Sequence, residues 1–184
     1  MFKKFDPSQV STSNILKSSL CRAIRTAIVE QFPSSQPHID LIWPKKAEVV
    51  VAKCRTAERS NIFYVDGFPA FFNFRDTKDS PYFPTLRLVH RFPTMLPRMQ
   101  VDTGAIRFAL KGADMMAPGL TSPGGAMDDV ERDQVVAVTA EGKQHALAVG
   151  LTKQSTAEIV ESSSGVAVEV MHYLGDGLYD IEHI

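Results

Sequence analysis

From Ile15 to Ile28 the apolar residues recur at intervals of three and four. Ile15/Leu16, Leu20, Ala23/Ile24 and Ala27/Ile28 form one stripe, Ser19 is small enough to pack beside it, and Lys17, Arg22 and Arg25 fall largely outside it. That period predicts an amphipathic helix, with Ser11, Ser13 and Asn14 on offer as N-caps and Phe32-Pro33 as its stop. Ahead of it, Phe2–Phe5 reads as a short edge strand; after it, Pro37–Trp43 reads as a second short helix or an irregular turn. The pattern then changes. Glu48–Cys54 and Asn61–Val65 are short runs with the residues strands favour, and Asp66-Gly67 is a strong hairpin signal ahead of the aromatic run Phe68–Phe74. Pro69 favours an edge position for that returning strand. Thr85–Arg91 is a short helix carrying Leu86, Val89 and His90. Pro93 and Pro97 bracket a stiff segment that cannot continue a helix, and the boundary between two modules, residues 1–97 and 98–184, is placed there.

The second module opens on a dense series of signals. Asp102 can cap an amphipathic segment, Thr103–Lys111, whose apolar stripe is Ala105, Ile106, Ala109 and Leu110. Gly112 stands where a helix needs a left-handed residue to stop. Met115 and Met116 read as the start of a strand that Pro118 and Gly119 end, and Thr121–Gly125 as a turn. Val135–Ala140, His145–Leu151 and Val166–Tyr173 are strands, with turns at Glu141–Lys143 and Gly175-Asp176-Gly177 and a last element at Leu178–Ile181. Ser155 with Glu158 makes a capping box for one or two helical turns. Short strands around one helix predict a small mixed barrel. The fold class is therefore α+β: an N-terminal α/β module followed by a small mixed-β pseudobarrel.

Composition is that of an ordinary globular protein, 44% hydrophobic and 22% charged over 184 residues. The chain has no run of about 18 apolar residues, so neither a membrane span nor a membrane partner is expected. MFKKFDPSQV has lysines but no apolar core of signal-peptide length. Cys21 and Cys54, far apart and unaccompanied, give no disulfide framework and no zinc set, which makes a cytoplasmic location the default. The net charge of −1 hides a split. Residues 1–98 hold 15 lysines and arginines against 8 acidic residues, a balance of +7; residues 99–184 hold 5 against 13, a balance of −8. A basic half suits a polyanion such as RNA, and an acidic half does not.

Few residues point to chemistry. A glycine-lined loop beside a helix end can present backbone N–H groups to a phosphate or base, against the plainer role of a helix terminator. Phe71, Phe72 and Phe74 are base-stacking platforms or core; consecutive phenylalanines usually cover a helix, which favours core, as for Trp43. The acidic stretch Asp128, Asp129, Glu131, Asp133 does not match an EF-hand loop and reads as a solvated loop. Catalysis needs a nucleophile or base held by an orienting partner. The candidates are His90, His145, His172, Cys21 and Cys54; neither cysteine lies in a recognisable motif, and His90 and His145 fall within predicted elements. His172, beside Tyr173, either contacts a base or caps a strand. With no Walker loop, zinc pattern or dinucleotide fingerprint, the expectation is no enzyme, no cofactor and no metal.

The stretch VDTGAIRFALKGADMMAPGLTSPG resembles the opening of a PUA domain, and VVAVTAEGKQHALAVG and VEVMHYLGDGLY resemble its later strands in the expected order. With MFKKFD, EQFP, PKK and YFPTLRLVHRFP in the N-terminal half, almost the whole chain resembles the malignant T-cell amplified sequence family. The resemblance implies a noncatalytic translation factor that pairs with a density-regulated protein homologue and binds the small ribosomal subunit (rRNA) and the tRNA acceptor end. The implied roles are reinitiation, initiator tRNA recruitment and release of deacylated tRNA during recycling. In PUA domains RNA is held by the loop after the first helix and the adjoining last strand. Here those positions are Lys111, Gly112, Ala113, Asp114, Met115, Pro118 and Gly119, with His172, Tyr173, Leu174, Gly175, Asp176, Gly177 and Leu178. Lys45 and Lys46 add an RNA contact from the basic half. This acidic second half departs from that pattern, with only Arg107, Lys111 and Lys143 near the expected RNA side. Two other readings stand beside it: an RNA-binding accessory subunit of an RNA-modification enzyme, and a protein adaptor whose basic half binds an acidic partner.

Overall fold

The Asp66-Gly67 turn seeds the first sheet. Both residues have positive φ, 49° and 78°, the conformation of the tight turn that matches strand twist. It joins Ser60–Val65 (β3) to Phe68–Phe74 (β4), and Val49–Cys54 (β2) pairs with β3 on the other side. Val10–Ile15 (β1) and Phe83–Pro84 (β5) complete the order β1-β2-β3-β4-β5, antiparallel throughout. The fold is given by a computed structural model that describes residues 2–55, 59–75 and 80–181; the end points of the two expected modules, residues 1 and 184, fall outside it.

Three expectations for this half are corrected. Phe2–Phe5 is not a strand: Phe2 is fully buried, edge-on to Phe5 and Phe72 at 5.6 and 5.1 Å. The residues expected to cap and begin the helix form β1 instead, and the helix α1 runs Ser18–Gln31 after Lys17, which supplies no side-chain cap. The sheet decides this, since the Leu16 N–H bonds the Val49 carbonyl and the backbone before it is committed to β2. Pro69 is not on an edge strand. It sits where the β3–β4 register shifts, and β5 pairs only with Phe71 and Phe72, so its missing N–H is not needed. A 3-10 turn, Pro33–His38, leads into Ile39–Ile42 (α2), and Thr85 caps Leu86–Arg91 (α3). Phe71, Phe72 and Trp43 are core.

The second sheet is mixed. Its strands are Arg98–Val101 (β6), Met115–Met116 (β7), Ala126–Met127 (β8), Val135–Ala140 (β9), Ala148–Thr152 (β10) and Val166–Tyr173 (β11), in the order β7-β11-β10-β9-β6-β8. β6 lies parallel to β9; the other pairs are antiparallel. Asp102 caps a 3-10 turn, Thr103–Ala105, that continues into Ile106–Ala109 (α4). Pro118 and Gly119 do not end a strand in a loop but lie in a short helix, Ala117–Thr121 (α5), where proline is favoured in the first turn. The Ser155/Glu158 capping box starts Thr156–Ser162 (α6). His145 precedes its strand, which begins at Ala148.

One hydrophobic cluster fills the inside of the second sheet, with Val136, Val138, Val168, Val170 and Tyr173 among its members. The other belongs to the first sheet but also takes in Val135, Ala137, Val149, Met171 and Leu178. The outer face of the second sheet thus closes the core of the first. The whole is an α+β fold in which the barrel-like second half is packed onto the N-terminal sheet.

Candidate nucleic-acid interface

The loop after α4 is held by a pair of backbone hydrogen bonds. The Ala113 N–H donates to the Phe108 carbonyl at 3.1 Å and the Gly112 N–H to Ala109 at 3.0 Å, the Schellman arrangement, with Gly112 at φ +71° in the left-handed position. The Lys111 N–H also bonds Phe108, at 3.0 Å. The N–H groups of residues 111–113 are therefore consumed by the helix stop, which corrects the expectation that this loop leaves them open to a ligand. Its offered surface is instead side chains: Lys111, Ala113, Asp114 and Pro118 are exposed.

The loop lies against the end of β11. A Cβ on Gly112 would meet the Tyr173 ring at 2.4 Å, so glycine is required here twice, for its φ and for the close approach. Asp114 Oδ1 accepts the Val170 N–H at 2.9 Å, and Met115 pairs with Val168. Strict alternation along β11 would place His172 on the inner face with Val168 and Val170. A register shift opposite Val149/Gly150 inserts Met171 as an extra residue and reverses the phase. Tyr173 thereby turns inward toward Gly112, while Met171 and His172 face the first sheet. Gly150 permits the bulge, because a Cβ there would sit 2.4 Å from Val168 and 2.6 Å from the Glu169 carbonyl.

His172 is consequently not an RNA-facing side chain. It is fully buried, edge-on to Phe72 at 5.9 Å, and its Nδ1 donates to Asp176 Oδ2 at 2.8 Å; its Nε2 has no partner among the described residues. Asp176, also fully buried, accepts in addition from the N–H groups of Tyr173, Leu178 and Tyr179. Leu178 belongs to the first sheet's core. Gly177 packs against the Phe5 backbone, where a Cβ would be 2.1 Å from the carbonyl oxygen. Of the strand-side candidates, exposed Gly175 and half-buried Leu174 retain access, and Met115 is buried on the loop side.

Sequence reasoning missed Phe108. It lies outside the stripe that buries Ala109, is 48% exposed, and carries the Arg107 guanidinium 4.7 Å from its ring centre. An aromatic just off the stripe of a short amphipathic helix was its signal. Met116 and Val166, paired across β7 and β11, are exposed apolar side chains on the same half. Asp102, which caps the helix through Ala105, has its carboxyl held below the usual range, first by the Ser122 hydroxyl and then by that backbone bond.

The remaining candidates lie elsewhere. Lys45 and Lys46 form an exposed turn on a groove of about 650 Å³ between α1 and β2, with Arg22, Arg25, Cys21 and Trp43 also lining it. The structure does not bring them together with the Gly112 loop, which is on the other sheet. Lys143 lines a cleft where the two sheets meet, with Arg98, His90 and His145. The two imidazole rings are 5.2 Å apart there, and His90 Nε2 donates to the Ala146 carbonyl at 2.8 Å. Burial lowers the His90 basicity. Cys54 is buried, which pushes its thiol up to about 11. Among the described residues no group of acidic, histidine and cysteine side chains is arranged to hold a metal, and no helix is long and apolar enough to cross a membrane.

Comparison with known proteins settles the lineage. Residues 4–93 match the model of the Pre-PUA-like domain and residues 96–177 that of the elF2D, PUA domain. Malignant T-cell-amplified sequence 2 of Homo sapiens is 46% identical over 99% of this chain and 98% of its own length. The chain belongs to the malignant T-cell-amplified sequence family. The Drosophila melanogaster member, Malignant T-cell-amplified sequence 1 homolog, is 47% identical over 97% of each chain. Among solved structures, a hypothetical protein of Pyrococcus horikoshii matches with a TM-score of 0.74 at 25% identity, over 92% of this chain and 98% of that one. A PUA domain of Aeropyrum pernix, solved as a tartrate complex, shares the fold with a TM-score of 0.70 at 24% identity, over 92% of this chain and 89% of that one. This family member is thus a translation-related PUA protein.

Proposed function

We propose that this family member is a noncatalytic factor that binds the small ribosomal subunit and the acceptor end of tRNA. It acts with a density-regulated protein homologue in reinitiation, initiator tRNA recruitment and post-termination tRNA release. The observation that carries the reading is the Gly112–Tyr173 contact, which fixes an exposed loop against the last strand of an elF2D-type PUA domain. Unpaired RNA ends are read by stacking and by contacts to base edges and backbone. The exposed Phe108, backed by Arg107 and near Lys111 in sequence, offers a stacking surface with positive charge in an otherwise acidic half. Few cations adjoin it, so the affinity for tRNA alone is modest and the ribosome holds the ligand close. The two modules, residues 1–97 and 98–184, divide the work: the basic one contacts rRNA through Lys45 and Lys46, the PUA one the acceptor end. The test is photocrosslinking from the tRNA 3′ end in reconstituted small-subunit complexes with the partner present. Crosslinks are expected within Arg107–Gly119 and Leu174–Gly175. Crosslinks confined to residues before 98 would overturn the assignment.

A further inference from the structure

The outer strand of the first sheet is left unfinished. Among the described residues β1 pairs with β2 on one side only; Val10 at its start packs on the first core, but the side chains from Ser11 to Ile15 are all exposed, so neither face of that stretch rests on a core. Edge strands are normally guarded against further pairing by charge, proline or a bulge. VSTSNI holds no charge and no proline, and its one irregularity falls between Val10 and Thr12, which leaves Thr12–Ile15 in regular register with Lys53 to Val50. The Leu16 N–H bonds the Val49 carbonyl. By antiparallel alternation Asn14 also faces β2, and the N–H and C=O groups of Ser13 and Ile15 point away from the sheet. Ile15 is 67% exposed and stands at the mouth of the groove lined, among the described residues, by the cations of Arg22, Arg25, Lys45 and Lys46 against the one carboxylate of Glu48. Arg25 is already engaged by Asp40 and the Trp43 carbonyl.

We propose that β1 is completed by an extended, acidic segment of a protein partner. The segment adds a strand along Thr12–Ile15, covers Ile15 with an apolar side chain and sets carboxylates against Arg22, Lys45 and Lys46. Charge decides the occupant. A second copy pairing through β1 would bring these cations against their own images, in a half whose balance is +7. Nucleic acid would satisfy the cations but has no strand backbone for the outward groups of Ser13 and Ile15. An acidic peptide meets both demands, by main-chain pairing for affinity and side-chain contacts for specificity. The inference goes beyond the ribosomal reading. Because Lys45 and Lys46 serve in both, its test is read on β1.

A random peptide library displayed on phage is selected against the immobilised full chain, and enriched peptides are resynthesised and titrated by calorimetry. The enriched peptides are expected to be rich in Asp and Glu with alternating β-branched residues. Ser13→Pro removes an outward N–H without touching the β2 ladder and should weaken them about tenfold. Ile15→Ala removes the apolar side chain that the segment covers while leaving charge and backbone unchanged, should weaken them as well, and carries the test should Ser13→Pro melt early. Both variants should bind the small subunit like the parent, which separates failure of this proposal from failure of the ribosomal one. The proposal is overturned if no acidic peptide is enriched, if the peptides bind both variants as tightly as the parent, or if sedimentation shows the parent dimerising in a manner Ile15→Ala abolishes.

Discussion

Replacing Gly112 by alanine tests the contact on which the candidate interface is built. The new Cβ would lie 2.4, 2.8 and 2.9 Å from three carbons of the Tyr173 ring, and φ would remain near +71°. The left-handed conformation costs about 1–2 kcal/mol with a side chain, and forcing the ring aside adds about 1–3 kcal/mol of overpacking. A total of about 2–5 kcal/mol leaves a domain of ordinary stability folded and lowers its melting temperature by about 5–15 °C. Gly142 supplies the control. Its φ is +70°, but nothing lies within 4 Å of its missing Cβ. Gly142→Ala should therefore show only the conformational cost, about 1–2 kcal/mol. Urea denaturation followed by circular dichroism measures both. In a double-mutant cycle, Tyr173→Ser should relieve the steric share and leave a coupling of about 1–3 kcal/mol with Gly112→Ala. If Gly112→Ala costs no more than Gly142→Ala, or the cycle closes without coupling, the loop does not rest on Tyr173 and the geometry argued for the interface is wrong.

Exchanging both Lys45 and Lys46 for glutamate should weaken small-subunit binding and flatten its salt dependence by about 1–2 units of slope, if each lysine meets one phosphate; an unchanged slope in a folded variant removes them from the contact. Ser155→Ala breaks the reciprocal capping box at α6 and should cost about 1 kcal/mol in chemical denaturation, while Glu158 keeps its bidentate pairing to Arg132. Burial holds His90 below its ordinary basicity, so the unfolded chain takes up a proton more readily than the folded one as pH falls below about 6.5. The stability at stake is fully present above that pH and is lost as pH falls toward the folded value. His90→Gln, whose amide can still donate to Ala146, should flatten the stability-against-pH curve in that window, ahead of the lower-lying losses from Asp102 and Glu158, whose carboxyls are held below their usual range.

Local signals were legible wherever the backbone itself made the decision. Asp66-Gly67, the Ser155/Glu158 box, Asp102 ahead of the Thr103–Ala105 turn and Gly112 at the helix stop each solve a local hydrogen-bonding or φ problem with one residue type. Illegible features were those settled by distant neighbours. Ile15 and Leu16 fit a helical stripe, yet the open edge of β2 claims their backbone, a tertiary contact no local window contains. Phe2 looked like strand because its partners, Phe5 and Phe72, gather only once the chain is folded. On the candidate site, sequence order located the loop and the strand but not which side chains they present. The extra residue at Met171 inverts the alternation, and nothing in VEVMHYLGDGLY marks it except that Gly150, twenty-one positions earlier, lacks the Cβ that would forbid it.

That inversion explains why one short segment serves both halves of the molecule. Met171 and His172 project into the first sheet's side, Tyr173 returns to the interior of the second, and Asp176 ties the turn that follows by accepting from His172 and three backbone N–H groups. A buried carboxylate with four donors is costly to leave unpaired, so these residues are fixed by the packing of the two sheets rather than free to meet a ligand. The Gly112 loop is thereby supported from behind by a strand end that the N-terminal core holds in place. On the proposed reading a ligand at the loop meets a floor formed by buried Tyr173 and an exposed rim formed by Phe108, Lys111 and Asp114. On that reading specificity lies on the rim, and changes on the floor, Gly112→Ala among them, act by tilting the whole loop.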